Sequence, residues 1–295
     1  MVAMPEQALI FECQGSRLVG VLHRPGGPSR DVGIVIVVGG PQYRVGSHRQ
    51  FTLMARAFAA TGYPVLRFDY RGMGDSEGES RGFEHVDEDI DAAIDSLLRE
   101  VPQVRRVLLW GLCDAASACL MYLNRSDPRI AALVLANPWV RTVAGEARTY
   151  LKHYYLQRIL QRSFWEKLLK GAFDVRRSVR DVADFFRKTR LDDAGRGASA
   201  RNFLERMYVG LESCRVPLLL LTSEHDLTAK EFLDHCESHP DWRKLLERRR
   251  VRPELLSGAD HTFSTENSLS RVTARCLEWM SALTPMDGPA GKERS

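Results

Sequence analysis

Residues 107–120 read VLLWGLCDAASACL. The first four are bulky and apolar, as in a strand buried on both faces. The last five, mostly small, have helical character. Between them lies Gly111-Leu112-Cys113-Asp114-Ala115. A nucleophile displayed at the end of a parallel strand needs a sharp strand-to-helix turn, and the residues two before and two after it must be small because they nearly collide. Gly111 and Ala115 meet that demand, with cysteine where serine is usual. A helix opening just after Cys113 aims its positive N-terminal dipole at the sulfur. Asp114 beside it would oppose negative charge there, cap the helix, or pair with Arg44 or Arg49. A buried free cysteine filling a corner is the competing reading of Cys113.

Working outward, strand and helix patterns alternate. ALIFEC and RLVGVLHRP are short amphipathic strands, and VGIVIVVGG is a β-branched run. RQFTLMARAFAATG has helical spacing with a glycine stop at Gly62. YPVLRFDYRG is a strand, and Ile90, Ala93, Ile94, Leu97 and Leu98 mark one helix face. IAALVLANPW, VPLLLLTSEHD and RVRPELLSGADH supply later strands, with one helix predicted over Ala229 to Leu246 and a last one in NSLSRVTARCLEWMSAL. Such alternation predicts an α/β fold with a mostly parallel twisted sheet and helices on both faces. The alternation stops at Pro138 and only helix-like segments run to about Glu212. The predicted organisation is therefore a core of residues 1–139 and 213–285, a helical cap at 140–212, and a disordered tail at 286–295.

A nucleophile requires a base, and the base an orienting acid. In an open parallel sheet these gather at the C-terminal strand edge. Asp226 follows the strand VPLLLLTSEH, and His261 follows RVRPELLSGAD. The order nucleophile, acid, histidine is the one this elbow uses. Glu224 and Asp234 are rivals of Asp226, and His225 is expected in solvent or packing. One oxyanion donor would be the Asp114 N–H. The other should come from the loop GGPQYR, where Gly39 and Gly40 permit close approach and Pro41 has no N–H. Gly40 and Gln42 are the candidates. GMGDSEG is spaced one residue too long for a dinucleotide loop.

GGPQYRVGSHRQ, FDYRGMGDSEG, GLCDAASA, an acid after the penultimate strand and GADHTF together resemble the α/β-hydrolase superfamily over nearly the whole chain. The pairing of GGPQYR with GLCDAASA more narrowly resembles the exosortase A system-associated hydrolase 1 family, bacterial proteins found with exopolysaccharide and protein-sorting loci. The resemblance implies an α/β-hydrolase fold and a triad of Cys113, Asp226 and His261. Dienelactone hydrolases are similar in placing cysteine at the elbow.

Composition narrows the partners. The net charge is +4, but residues 141–212 hold 16 Lys/Arg against 9 Asp/Glu and the remainder 26 against 29. The basic stretch YLKHYYLQRILQRSFWEKLLK is open to three readings: a solvated helical face, a lid drawing an anionic substrate, or a contact with an anionic membrane surface. Nothing resembles a nucleic-acid motif. No apolar run reaches the ~20 residues of a membrane span, the N-terminus lacks signal-peptide character, and six scattered cysteines include no C-x-x-C pair. A cytoplasmic protein without metal or cofactor is expected. The expected activity is acyl hydrolysis, of an ester or thioester on a small-molecule or carrier-bound substrate. An acyltransferase of glycan or lipid assembly and a non-catalytic binding protein are the alternatives. Oligomeric state is left open.

Overall fold

The computed structural model describes residues 6–40, 42–140 and 193–283. The greater part of the expected cap, 141–192, lies outside them, as does the tail. Eight strands form one sheet: β1 (Glu6–Cys13), β2 (Ser16–His23), β3 (Val32–Val37), β4 (Val65–Phe68), β5 (Arg106–Leu112), β6 (Ile130–Ala136), β7 (Leu218–Ser223) and β8 (Pro253–Leu256). Their spatial order is β1-β2-β4-β3-β5-β6-β7-β8. The β1–β2 and β2–β4 pairs are antiparallel, and every pair from β4 to β8 is parallel.

The parallel strands carry unbroken apolar runs because both faces are covered. On β3, Val35 and Val37 join one buried cluster while Ile34 and Ile36 join the other. On β5, Leu109 and Trp110 divide in the same way. One face is covered by α2 (Asp87–Glu100), α3 (Asp114–Tyr122), α4 (Asp193–Ser213), α5 (Leu227–Ser238) and α6 (Pro240–Arg249). The other is covered by α1 (Gln50–Ala60) and α7 (Glu266–Ala282). Phe203, Met207 and Leu211 of α4 are buried in the first cluster, so the end of the expected insertion packs directly on α3.

The single helix predicted over Ala229 to Leu246 is two helices, divided at His239. Pro240 is the cause. It cannot donate a backbone hydrogen bond, and it pushes the preceding residue out of helical geometry: His239 has φ −109° and ψ 108°. Among the described residues no helix is long and apolar enough to cross a membrane.

Candidate active site

β5 ends at Leu112 and α3 begins at Asp114, so Cys113 alone makes the turn. Its backbone sits at φ 62°, ψ −127°. That region is costly for any residue with a side chain, of order 1–3 kcal/mol. The neighbours hold it there. The Cys113 N–H donates to the Ala136 carbonyl at 3.0 Å, and its carbonyl accepts from Ala116, Ser117 and Trp139. Gly111 is required because a Cβ there would lie 2.6 Å from the Ala115 carbonyl oxygen. Of the six cysteines, all free, Cys113 is the one that is not fully buried.

Asp226 follows β7 and N-caps α5, its carboxylate accepting from the N–H groups of Thr228 (3.0 Å) and Ala229 (3.2 Å). The same carboxylate meets His261 Nδ1 at 2.8 Å. That bond occupies Nδ1 and leaves Nε2 for the sulfur. Burial opposes charge on His261, but its hydrogen bonds with Asp226 and Cys113, and their negative charge, push its pKa up to about 10. The structure thus brings Cys113, His261 and Asp226 together. Glu224 is turned away and accepts the Gly258 N–H at 2.7 Å, while His225 is exposed.

The loop after β3 is arranged differently from the expectation. The Gly40 N–H donates to Asp114 Oδ2 at 2.8 Å, and the Gln42 N–H donates to the Gly40 carbonyl at 2.8 Å. Gly40 has φ 62°, which suits glycine. At Gly39 any Cβ would overlap Asp114 Oδ1 and lie 2.8 Å from the Ala115 nitrogen. Asp114 does not pair with Arg44, whose guanidinium instead joins Asp69 and Asp75. Burial raises the Asp114 pKa; the N–H groups of Gly40, Ala115 and Asp114 itself and the charge of His261 pull the other way without reversing it.

One residue went unseen in the sequence. Asn137 follows β6, is 0 % exposed and has φ 47°. Its amide donates to Ser223 Oγ at 2.9 Å and to the His261 carbonyl at 3.3 Å, and its oxygen accepts the Ser223 N–H at 2.7 Å. The available signal was a polar residue at a strand end beside Pro138. Next to it, Trp139 packs in an aromatic trio with Phe83 and Phe203. Among the described residues no group of three or more His, Cys, Asp or Glu is placed to hold a metal ion.

A family model described as the alpha/beta hydrolase family matches residues 34–274. The chain belongs to the alpha/beta hydrolase family. Among solved structures this hydrolase is similar to the Pyrococcus furiosus esterase Pf2001, with 18% identity, TM-score 0.59 and 94% of each chain covered. It is similar to Est1E of Butyrivibrio proteoclasticus, solved with ferulic acid bound, with 14% identity and TM-score 0.60 over 93% of this chain and 98% of that one. A third is the Pyrococcus horikoshii acylaminoacyl peptidase, with 17% identity and TM-score 0.57 over 95% of this chain and 41% of that one. At such identities the likeness concerns the fold. No curated protein sequence matches the chain.

Proposed function

We propose that this hydrolase is an esterase or thioesterase that works through Cys113, His261 and Asp226. The observation that carries the reading is the imidazole of His261, held by Asp226 at 2.8 Å and near enough to a cysteine in strained elbow geometry for that cysteine to stabilise its charged form. Similarity in fold to proteins named as esterases supports an ester substrate.

In this mechanism His261, its pKa raised to about 10, already holds the proton taken from Cys113, and the sulfur attacks the acyl carbon. The carbonyl electron pair moves onto oxygen, facing the Asp114 N–H. As the carbonyl re-forms, the bond to the leaving alcohol or thiol breaks, and the imidazolium returns its proton to that group. A thioester acyl-enzyme remains. Water, deprotonated by His261, releases the acid and regenerates the thiol. Asp226 holds the imidazole and stabilises its charged form. The Trp139, Phe83 and Phe203 trio beside the elbow offers an apolar wall for the acyl group.

A thioester acyl-enzyme is also open to alcohols, amines and thiols, so an acyltransferase is the second reading. Motifs shared with the exosortase-associated family would place either activity in bacterial exopolysaccharide or protein-sorting systems, in the cytoplasm. The basic stretch within 141–192 would then meet an anionic substrate or the membrane surface. Sedimentation with anionic vesicles at low salt tests the membrane contact, and its absence removes it.

A p-nitrophenyl acyl ester series with intact-mass detection tests the main reading. The expected result is an acyl adduct on wild type and none on Cys113→Ala. Equal behaviour of the two towards both ester and iodoacetamide overturns it, in favour of a binding protein with an inert elbow. Release of the adduct only on adding a sugar or alcohol acceptor identifies a transferase.

A further inference from the structure

The short strand β4 is apolar except at one place. Val65, Leu66 and Phe68 are buried, and Arg67 among them is only 4 % exposed. A buried guanidinium is normally matched by a carboxylate, and an apolar side chain of similar volume is often the more stable choice. Among the described residues Arg67 has no carboxylate within ion-pair distance. Its Nε donates to His23 Nε2 at 2.9 Å, and its Nη1 donates to the Arg44 carbonyl at 3.2 Å. A strand that breaks its own apolar pattern to place a cation there points to a task other than packing.

The two partners define that task. Arginine can only donate, so His23 Nε2 is an unprotonated acceptor and the ring proton sits on Nδ1. Nδ1 lies 3.8 Å from Glu6 Oε1, and Glu6 is held in turn by Arg56 of α1. The imidazole is fully buried, and the charged groups facing it are Arg67 of β4, Glu6 of β1 and Arg56 of α1. The Arg44 carbonyl belongs to the loop that follows β3. Asp69 stands two residues after Arg67, on the same side of the chain, and accepts the Arg44 N–H at 2.6 Å. Both main-chain groups of Arg44 are therefore held from one strand, the carbonyl by Arg67 and the N–H by Asp69. Nearer its start the same loop meets the elbow, where the Gly40 N–H donates to Asp114 at 2.8 Å.

We propose that Arg67, backed by the neutral imidazole of His23, is a positioning residue that holds the 39–44 loop against the elbow through the Arg44 carbonyl. Its effect on rate rests on the acyl-transfer reading above; its effect on the loop does not. The brace is also sensitive to acid, because a protonated His23 Nε2 becomes a donor facing a cation. Burial, followed by the charge of Arg67, lowers the His23 pKa from 6.5 to about 4. The stability that His23 contributes is thus full above pH 6.5 and is lost as the pH falls towards 4.

The test compares wild type, Cys113→Ala, Arg67→Met, His23→Leu and His23→Gln in the full chain. Glutamine can offer an amide oxygen where Nε2 stands, and it does not titrate. Two readings are taken from neutral pH down to about 4: kcat and KM for a p-nitrophenyl ester, per molecule whose Cys113 iodoacetamide alkylates, and amide exchange of the 39–44 loop. Arg67→Met and His23→Leu should lose about 10–10²-fold in kcat with KM little changed. Their loop amides should exchange roughly tenfold faster, with those of β3 and β5 unaltered. His23→Gln should match wild type at neutral pH and keep both rate and loop protection at the acid end, where wild type loses them. Wild-type kcat and wild-type loop exchange in Arg67→Met overturn the proposal, since a loss of stability alone would make Arg67 a packing residue. If Arg67→Met does not fold, the histidine pair decides: His23→Leu equal to wild type overturns it, as does a decline of His23→Gln at the same pH as wild type. Should wild type form no more adduct than Cys113→Ala, the acyl-transfer reading fails and the catalytic role of Arg67 with it. An adduct on wild type, with rate and loop unchanged in the variants, removes this proposal alone.

Discussion

The two sides of this site are built on opposite plans. On the β7–β8 side, polar groups point inward: Asp226 is fixed by two helix N–H groups and still meets His261, whose imidazole faces the sulfur. On the β3 side, polar groups point at one another: Gly40 at Asp114, Gln42 at Gly40, Arg44 at Asp69. The first side is complete before a substrate arrives. The second is rigid and has its backbone donors already engaged. Conformational rigidity and catalytic readiness are therefore separate properties of the same cleft.

The comparison breaks most visibly at the proposed nucleophile. Cys113→Ala is expected to lower acylation by roughly 10⁴–10⁶-fold, as loss of a nucleophile does elsewhere, measured by adduct mass and p-nitrophenol release. Asp226→Asn is next, at about 10³–10⁴-fold in kcat. It should also move the alkaline limb of the rate profile to lower pH, because His261 loses the partner that holds it near 10. If that limb stays in place, Asp226 does not set the imidazole's charge. The same variant tests linkage. A histidine raised from 6.5 to about 10 contributes stability that is full below pH 6.5 and lost as pH rises through 10. The difference in Tm between wild type and Asp226→Asn should accordingly shrink at alkaline pH, since asparagine caps a helix about as well as aspartate and leaves the α5 cap in place.

Smaller effects sharpen the contrast. Asn137→Ala strands the buried partners it now satisfies and should cost about 1–3 kcal/mol in denaturant unfolding. It should also lower kcat by about tenfold with little change in KM, as expected when a base is misplaced while substrate binding is left intact. An equal stability loss with unaltered kcat would make Asn137 purely structural. Smallest and opposite in sign, Cys113→Gly relieves the φ 62° strain and should stabilise the fold by about 1 kcal/mol while abolishing acylation. A destabilised glycine variant would mean that the side-chain packing of Cys113 outweighs its backbone strain.

Much of this was legible in the sequence because it depends on periodicity and close packing. Apolar runs mark the strands, the small residues at 111 and 115 mark the tight strand-to-helix turn, and chain order singles out Asp226 and His261, which the structure joins at 2.8 Å. Proline at 240 was also visible, but its effect of dividing α5 from α6 was missed because the apolar pattern continues across it. The destination of the Gly40 N–H could not be read, since it depends on how two segments 74 residues apart in sequence meet in space. Asn137 was hidden for a related reason: a buried amide gains its meaning from partners on β7 and the histidine loop that no local pattern reveals.

That amide has a mechanical consequence. Asn137 joins the ends of β6 and β7 to the segment carrying His261, and β6 also receives the Cys113 N–H through the Ala136 carbonyl. The sulfur and the imidazole, 148 positions apart in the chain, are thus mounted on a single stiff bracket. Local opening that moves one should move the other. In amide exchange, the N–H groups of Cys113, Asn137 and Ser223 should therefore exchange together as one cooperative unit.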